Sequence, residues 1–190
     1  MAKDTYSSFN ELRSHEELNR DYKIWINDVG SPITIMAPHG GRIEPRTSYI
    51  ARRIARDQFN SYCFEGIKKG DNGRLHITSH NFDEPQALQL IARSQTVVTV
   101  HACTHKNSRV YLGGLDKKLI SLMTGQLKAV GIVPAGMTSK YPGLNPENIC
   151  NRGATQKGAQ LEVSRGLRDD LQQIDLLTAA IRAALIELIS

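Results

Sequence analysis

Three side chains that can hold a metal ion stand beside apolar runs: His39, Glu44 and His101. His39 and Glu44 lie in Pro38-His39-Gly40-Gly41-Arg42-Ile43-Glu44-Pro45, directly after the apolar run Ile33-Thr34-Ile35-Met36-Ala37. His101 ends Thr96-Val97-Val98-Thr99-Val100, a run rich in β-branched residues. Two imidazoles and one carboxylate form a catalytic type of zinc set, in which a coordination position stays open for water. Taken alone, His39 and Glu44 read better as a loop histidine and a helix-capping glutamate than as ligands. Five residues of separation turns two side chains away from each other on a helix. A turn must therefore bring them together, and Gly40-Gly41 supplies the backbone freedom for one.

Other residues have the chemistry to complete such a site. Glu162 sits between Leu161 and Val163 and is the candidate general base for a water activated by the metal. Arg165 follows it closely and is the first choice to stabilise an oxyanion or carboxylate. Asn151, Arg152 and Arg168 are the candidate substrate clamps, since a guanidinium grips a carboxylate through two hydrogen bonds. His105 is an alternative third ligand. If 101–105 stays extended, its ring lies about 13 Å from His101, so it serves only if the chain turns. His76 and His80 read as structural or supporting groups. Cys103 reads as a plain thiol, and nothing marks a partner that would make it a nucleophile.

Those residues need elements to position them. Strands are expected at 21–28, 33–37, 61–64, 75–78, 96–100, 131–135 and 158–163, with a short edge strand at 109–112. Helices are expected at 9–18, 47–56, 86–93, 116–130 and 172–190. Pro85 and Asp116 mark helix starts. Residues 66–73 and 139–151 read as loops. The alternation of strand and helix predicts an α/β fold in one domain over residues 1–190, with helices on both faces of a mixed, largely parallel sheet. In such sheets ligands bind beyond the carboxyl ends of the strands.

Composition narrows the partners. The 190 residues are 40% hydrophobic and carry a net charge of +5. No run is long and apolar enough to span a membrane. Met1-Ala2-Lys3-Asp4-Thr5-Tyr6 has no apolar core of a secretion signal, so the chain is expected to be cytoplasmic as made. Three sparse cysteines, Cys63, Cys103 and Cys150, point to reduced thiols. A basic chain suits an anionic partner. One Trp and no long Lys/Arg block argue against a stacking platform for nucleic acid, and leave an acidic substrate.

Several motifs in order resemble one family. They are His39-Gly-Gly-Arg-Ile-Glu44-Pro, Phe64-Glu-Gly-Ile-Lys68, Leu75-His-Ile-Thr-Ser79, Phe82-Asp-Glu-Pro85, Val110-Tyr-Leu-Gly-Gly114, Asn151-Arg152-Gly153 and Gln160-Leu-Glu-Val-Ser-Arg-Gly-Leu-Arg168. Together they resemble the phage and bacillar poly-γ-glutamate hydrolases, over about residues 33–170. The resemblance implies a zinc peptidase related to metallocarboxypeptidases, with an α/β/α fold, acting on γ-glutamyl amide bonds of a capsule or slime polymer. It implies Zn2+ on His39, Glu44 and His101, Glu162 as the catalytic glutamate and Asn151-Arg152 as a carboxylate grip. The chain departs from the metallocarboxypeptidase signature in placing Glu five residues after His rather than three, and Asn-Arg after the second His. A monomer is expected, with release by lysis of a phage-infected host as its route to the polymer. The rival readings are a metal-dependent amidase or deacylase of a small N-acyl substrate, favoured by a closed pocket, and a basic nucleic-acid-binding protein. An open groove lined with Arg would favour the polymer.

Overall fold

A computed structural model describes residues 4–135 and 141–190. Its centre is one six-stranded sheet in the order β1-β3-β2-β4-β6-β5. The strands are β1 (Tyr22–Asn27), β2 (Ile33–Gly41), β3 (Asn60–Gly66), β4 (Thr96–Cys103), β5 (Val110–Gly113) and β6 (Ala159–Ser164). The inner pairs β2–β3, β2–β4 and β4–β6 are parallel, while the edge strands β1 and β5 pair antiparallel. The expected mixed α/β sheet is therefore present, with β5 on the edge where it was placed. Two cores flank the sheet. One is covered by α2 (Thr47–Ala55), α4 (Lys117–Ala129) and α6 (Leu171–Ile189), and the other by α1 (Phe9–His15) and α3 (Pro85–Ala92). The short helix α5 (Arg165–Arg168) follows β6 and has no counterpart in the sequence reading.

Helix starts follow capping chemistry. Glu84 accepts from the backbone N–H groups of Gln86 and Ala87, with Pro85 in the first turn of α3. Asp116 accepts from the Leu119 N–H at the start of α4. Two expected strands are corrected. Residues 75–78 are not a strand: Asn72–Leu75 is a 3-10 turn, and His76, Ile77 and Thr78 run on without a ladder. Ile77 is buried all the same, in the second core, which explains the apolar signal without a strand. Residues 131–135 form only an isolated bridge from Ala135 to Tyr111. The expected loop 139–151 is partly outside the described residues, and it ends in a 3-10 turn at Ile149–Asn151.

One irregularity in β2 decides where the chemistry can be built. Along β2, Ile33, Ile35 and Ala37 face the first core, as do Val98 and Val100 of β4 and Leu161 and Val163 of β6. Because side chains alternate, His101 and Glu162 face the opposite side. A regular β2 would send His39 to the first core, away from both. The ladder to β3 shifts between Ala37 and Gly40: Ala37 opposes Cys63 and Gly40 opposes Glu65. Pro38 and His39 thus share the place opposite Phe64, a second-core residue. This β-bulge inserts one residue, and a one-residue shift exchanges the two faces. Pro38 suits it, since proline has no N–H to give a ladder. His39 therefore lies in a bulged strand end, where the sequence reading placed it in a turn beyond the strand.

After the bulge the chain leaves the sheet through Gly41 at φ +64°, where a Cβ would lie 2.4 Å from the Gly66 carbonyl oxygen. Gly41→Ala is expected to cost about 1–3 kcal/mol through the left-handed backbone, with the backbone clash added. Gly30→Ala shares the positive φ but meets nothing within 4 Å, and should lower the melting temperature distinctly less. Thermal unfolding of the two variants compares them. Equal losses would contradict the role of close packing at Gly41.

Candidate active site

His39, Glu44 and His101 come together. One ligand atom from each lies within 4.8 Å of the others. The two Nδ1 atoms are 3.2 Å apart. Glu44 Oε1 is 3.5 Å from His39 Nδ1, and Oε2 is 3.7 Å from His101 Nδ1. The chain from His39 folds back sharply, with the Glu44 N–H donating to the His39 carbonyl at 2.8 Å. The Ala102 N–H of β4 donates to Glu44 Oε2 at 3.0 Å and fixes the carboxylate beside the next strand. The five-residue spacing is thus closed by a bulge and a tight turn.

The His39 tautomer follows from its partner. His39 Nε2 lies 2.7 Å from the Ile77 carbonyl oxygen, which can only accept, so Nε2 carries the proton. In a neutral ring Nδ1 then presents its lone pair to the centre of the cluster. His101 turns Nε2 toward Ser79 Oγ at 3.4 Å, so its Nδ1 also faces inward. Two inward-facing nitrogens and a carboxylate form a set that could hold a shared cation. This donor set fits zinc, and an outer N–H held by a carbonyl is the usual support of a metal-binding imidazole. Burial alone would raise the Glu44 carboxyl. The facing His39 and His101 outweigh it and hold the group well below the usual carboxylate range.

The cluster lies on the floor of an open cleft of about 260 Å³, at the carboxyl ends of the parallel strands. Glu162 lines it and is the register partner of His101 on β6, so the two side chains stand side by side on one face. Its walls are the segments around Thr78–His80 and Tyr141–Asn145. Gln160 holds the second wall by donating to the Tyr141 carbonyl at 3.3 Å, and Asn148 donates to Gln160 at 2.9 Å.

The remaining expected residues lie elsewhere. Arg165 is 69% exposed and pairs with Asp169 one turn on, outside the cleft lining. Arg168 is buried, and its guanidinium donates to the carbonyls of Val163, Pro45 and Cys103. It ties together the end of β6, the end of β4 and the turn behind Glu44. Asn151 is buried and holds the Gly143 and Asn145 carbonyls, while accepting from the Leu115 and Gly158 N–H groups. Arg152 donates to the Phe82 carbonyl. In this structure Asn151, Arg152 and Arg168 brace backbone around the cleft, Arg165 lies on the exposed surface, and among the described lining residues of the cleft there is no Lys or Arg. His105 is exposed, because β4 stays extended through Cys103 and carries the chain away. Burial pushes the Cys103 thiol up, which leaves little thiolate for a nucleophile.

His76 is a supporting group, as its sequence context suggested, but its partner Asp4 carried no signal there. His76 stacks on His39 with ring centroids 4.0 Å apart, and its Nδ1 lies 2.7 Å from Asp4. Asp4 also accepts from the Thr78 N–H at 2.6 Å, so the N-terminal segment braces one wall. Burial, and then His39, depress the His76 imidazole, against the pull of Asp4. A partner seventy-two positions away carries no local signal.

Comparison with known proteins places the chain among relatives of one family. A Bacillus subtilis (strain 168) protein, YmaC of the UPF0714 group, is 42% identical over 169 residues, covering 87% of this chain and 71% of that protein. YndL of the same organism and group is 35% identical over 172 residues, covering 90% of this chain and 68% of that protein. The solved structure of a bacteriophage poly-gamma-glutamate hydrolase superposes with a TM-score of 0.95 at 29% identity, covering 98% of this chain and 99% of that one. A zinc-free structure of YndL superposes at 0.92, also at 29% identity, covering 99% of this chain and all of that one. The family model for poly-gamma-glutamate hydrolase matches residues 6–183, so the chain belongs to the poly-gamma-glutamate hydrolase family.

Proposed function

We propose that this chain is one hydrolase domain over residues 1–190 that uses zinc to cleave γ-glutamyl amide bonds of poly-γ-glutamate. The observation that carries the reading is the His39–Glu44–His101 donor set beside Glu162 on the floor of an open cleft. Family membership supplies the substrate class, and the open cleft admits a chain that enters and leaves. Zinc, when bound, makes water acidic and polarises the scissile carbonyl.

The protein's own part is positioning and proton transfer. The bulge and the Glu44 turn hold three donors on one face with little freedom. The attacking water oxygen bonds to the amide carbon while Glu162 takes its proton. Glu162 then passes that proton to the nitrogen as the carbon–nitrogen bond breaks. Hydroxyl and amide donors along the walls, with Ser79 and Asn145 among the lining residues, are available to the substrate's carbonyl and carboxylate.

Chelator treatment should abolish shortening of poly-γ-glutamate, followed by viscosity, and zinc should restore it. Full activity in exhaustively chelated protein would overturn the metal reading. His101→Ala should lower bound zinc, measured by elemental analysis, below one equivalent.

Glu162→Gln should keep zinc and KM for the polymer while kcat falls about 10²–10⁴-fold, the usual worth of a general base. A variant that retains most of its kcat would remove Glu162 from that role.

A further inference from the structure

The loop between β4 and β5 carries His105, Lys106, Asn107 and Arg109, which with Tyr111 line a second open hollow of about 380 Å³. The hollow adjoins the cleft. Tyr111 is the register partner of Glu162. Its ring lies 5.5 Å from that of Tyr141 on the cleft wall and 5.8 Å from that of His105 on the far side. Tyr111 thus stands between the Glu162 strand and the loop that carries the two cations.

The loop is built rather than draped. Arg109 is held twice by Ser164: its N–H donates to Ser164 Oγ at 2.8 Å, and its carbonyl accepts from the Ser164 N–H at 2.9 Å. The Gly166 N–H donates to the His105 carbonyl at 3.2 Å. A Cβ on Gly166 would lie 2.0 Å from the Lys106 carbonyl oxygen, so glycine is needed for the loop to seat. Lys106 and Arg109 are exposed, and neither has an acidic partner among the described residues.

A γ-linked glutamate polymer presents a free carboxylate on every unit, yet no Lys or Arg stands among the described residues lining the cleft. Among the described residues, Lys106 and Arg109 stand in the neighbouring hollow. We propose that the hollow formed by His105, Lys106, Asn107, Arg109 and Tyr111 is a subsite for the carboxylates of polymer units beyond the pair being cleaved. It rests on the reading of the cleft as a poly-γ-glutamate site. A pinned backbone lowers the ordering cost of that contact. Exposed charges make the contribution sensitive to salt.

The test is steady-state kinetics of the holoenzyme on long poly-γ-glutamate and on a γ-linked glutamate dimer, which occupies only the units flanking the scissile bond. Lys106→Ala/Arg109→Ala should raise KM for the polymer about three- to twentyfold at low salt, the combined worth of two exposed charge contacts. It should leave kcat, and both constants for the dimer, unchanged. Arg109→Lys should retain most of the affinity, and the double variant should lose most of the salt dependence of KM. An unchanged polymer KM at low salt would overturn the subsite, as would an equal loss on the dimer. Binding of labelled poly-γ-glutamate to metal-free protein reads the subsite apart from catalysis. Binding lost in the double variant supports the subsite even if the wild type cleaves no polymer, a result that would contradict only the functional reading.

Discussion

The site depends on one extra residue in β2. Strand alternation is strict, so every side chain that is to meet His101 and Glu162 must lie on their face of the sheet. The sequence Ile33, Ile35, Ala37 commits β2 to the opposite parity by burying those positions in the first core. Moving the whole strand by one would expose that core. A bulge at Pro38–His39 satisfies both demands, because the apolar half keeps its register and the functional end gains the other face. Gly40 and Gly41 follow because the bulged chain passes against β3 and α2 with no room for a Cβ: one at Gly40 would lie 2.0 Å from Ser48 Oγ and 2.9 Å from the Phe64 carbonyl oxygen.

The buried polar cluster is supported from outside in the same economical way. His39 and His101 each use the outer nitrogen on a neighbour, Ile77 or Ser79, and turn the inner nitrogen to Glu44. Arg168 fastens the strand ends and the Pro45 turn by three hydrogen bonds to carbonyls. Buried carbonyls at strand ends need such donors, and a guanidinium reaches several at once. Burial depresses the Arg168 guanidinium, while Glu44, the largest opposing influence, favours its charge. Arg168 therefore serves the architecture of the site, and among the described residues the exposed cations Lys106 and Arg109 stand on the loop between β4 and β5.

The elements were legible where pattern and burial coincide. β4 opens on five β-branched residues that are all buried, and α6 shows its stripe of Ile174, Leu177, Ile181, Ala184 and Leu185. Asp116 announced α4 by capping chemistry. Residues 75–78 misled because Leu75 and Ile77 are buried through a 3-10 turn and a coil, and apolar alternation does not distinguish these from a ladder. The candidate metal-ligand types and their grouping were readable, since His101 follows a β-branched run and His39 an apolar one. The arginine roles were not, because nearness in sequence to Glu162 says nothing of which carbonyls a guanidinium will meet. The Asp4–His76 contact is likewise invisible to local pattern.

The central claim is that the bulge creates one metal site from His39, Glu44 and His101, with Glu162 beside it. The most direct measurement is an anomalous-diffraction map of crystals of the zinc-loaded protein. One strong peak is expected at about 2.0–2.2 Å from Nδ1 of His39, Nδ1 of His101 and the Glu44 carboxylate. Glu162 should face that peak without ligating it. A peak held by other residues, or His39 turned to the α2–α6 face of the sheet, would contradict it.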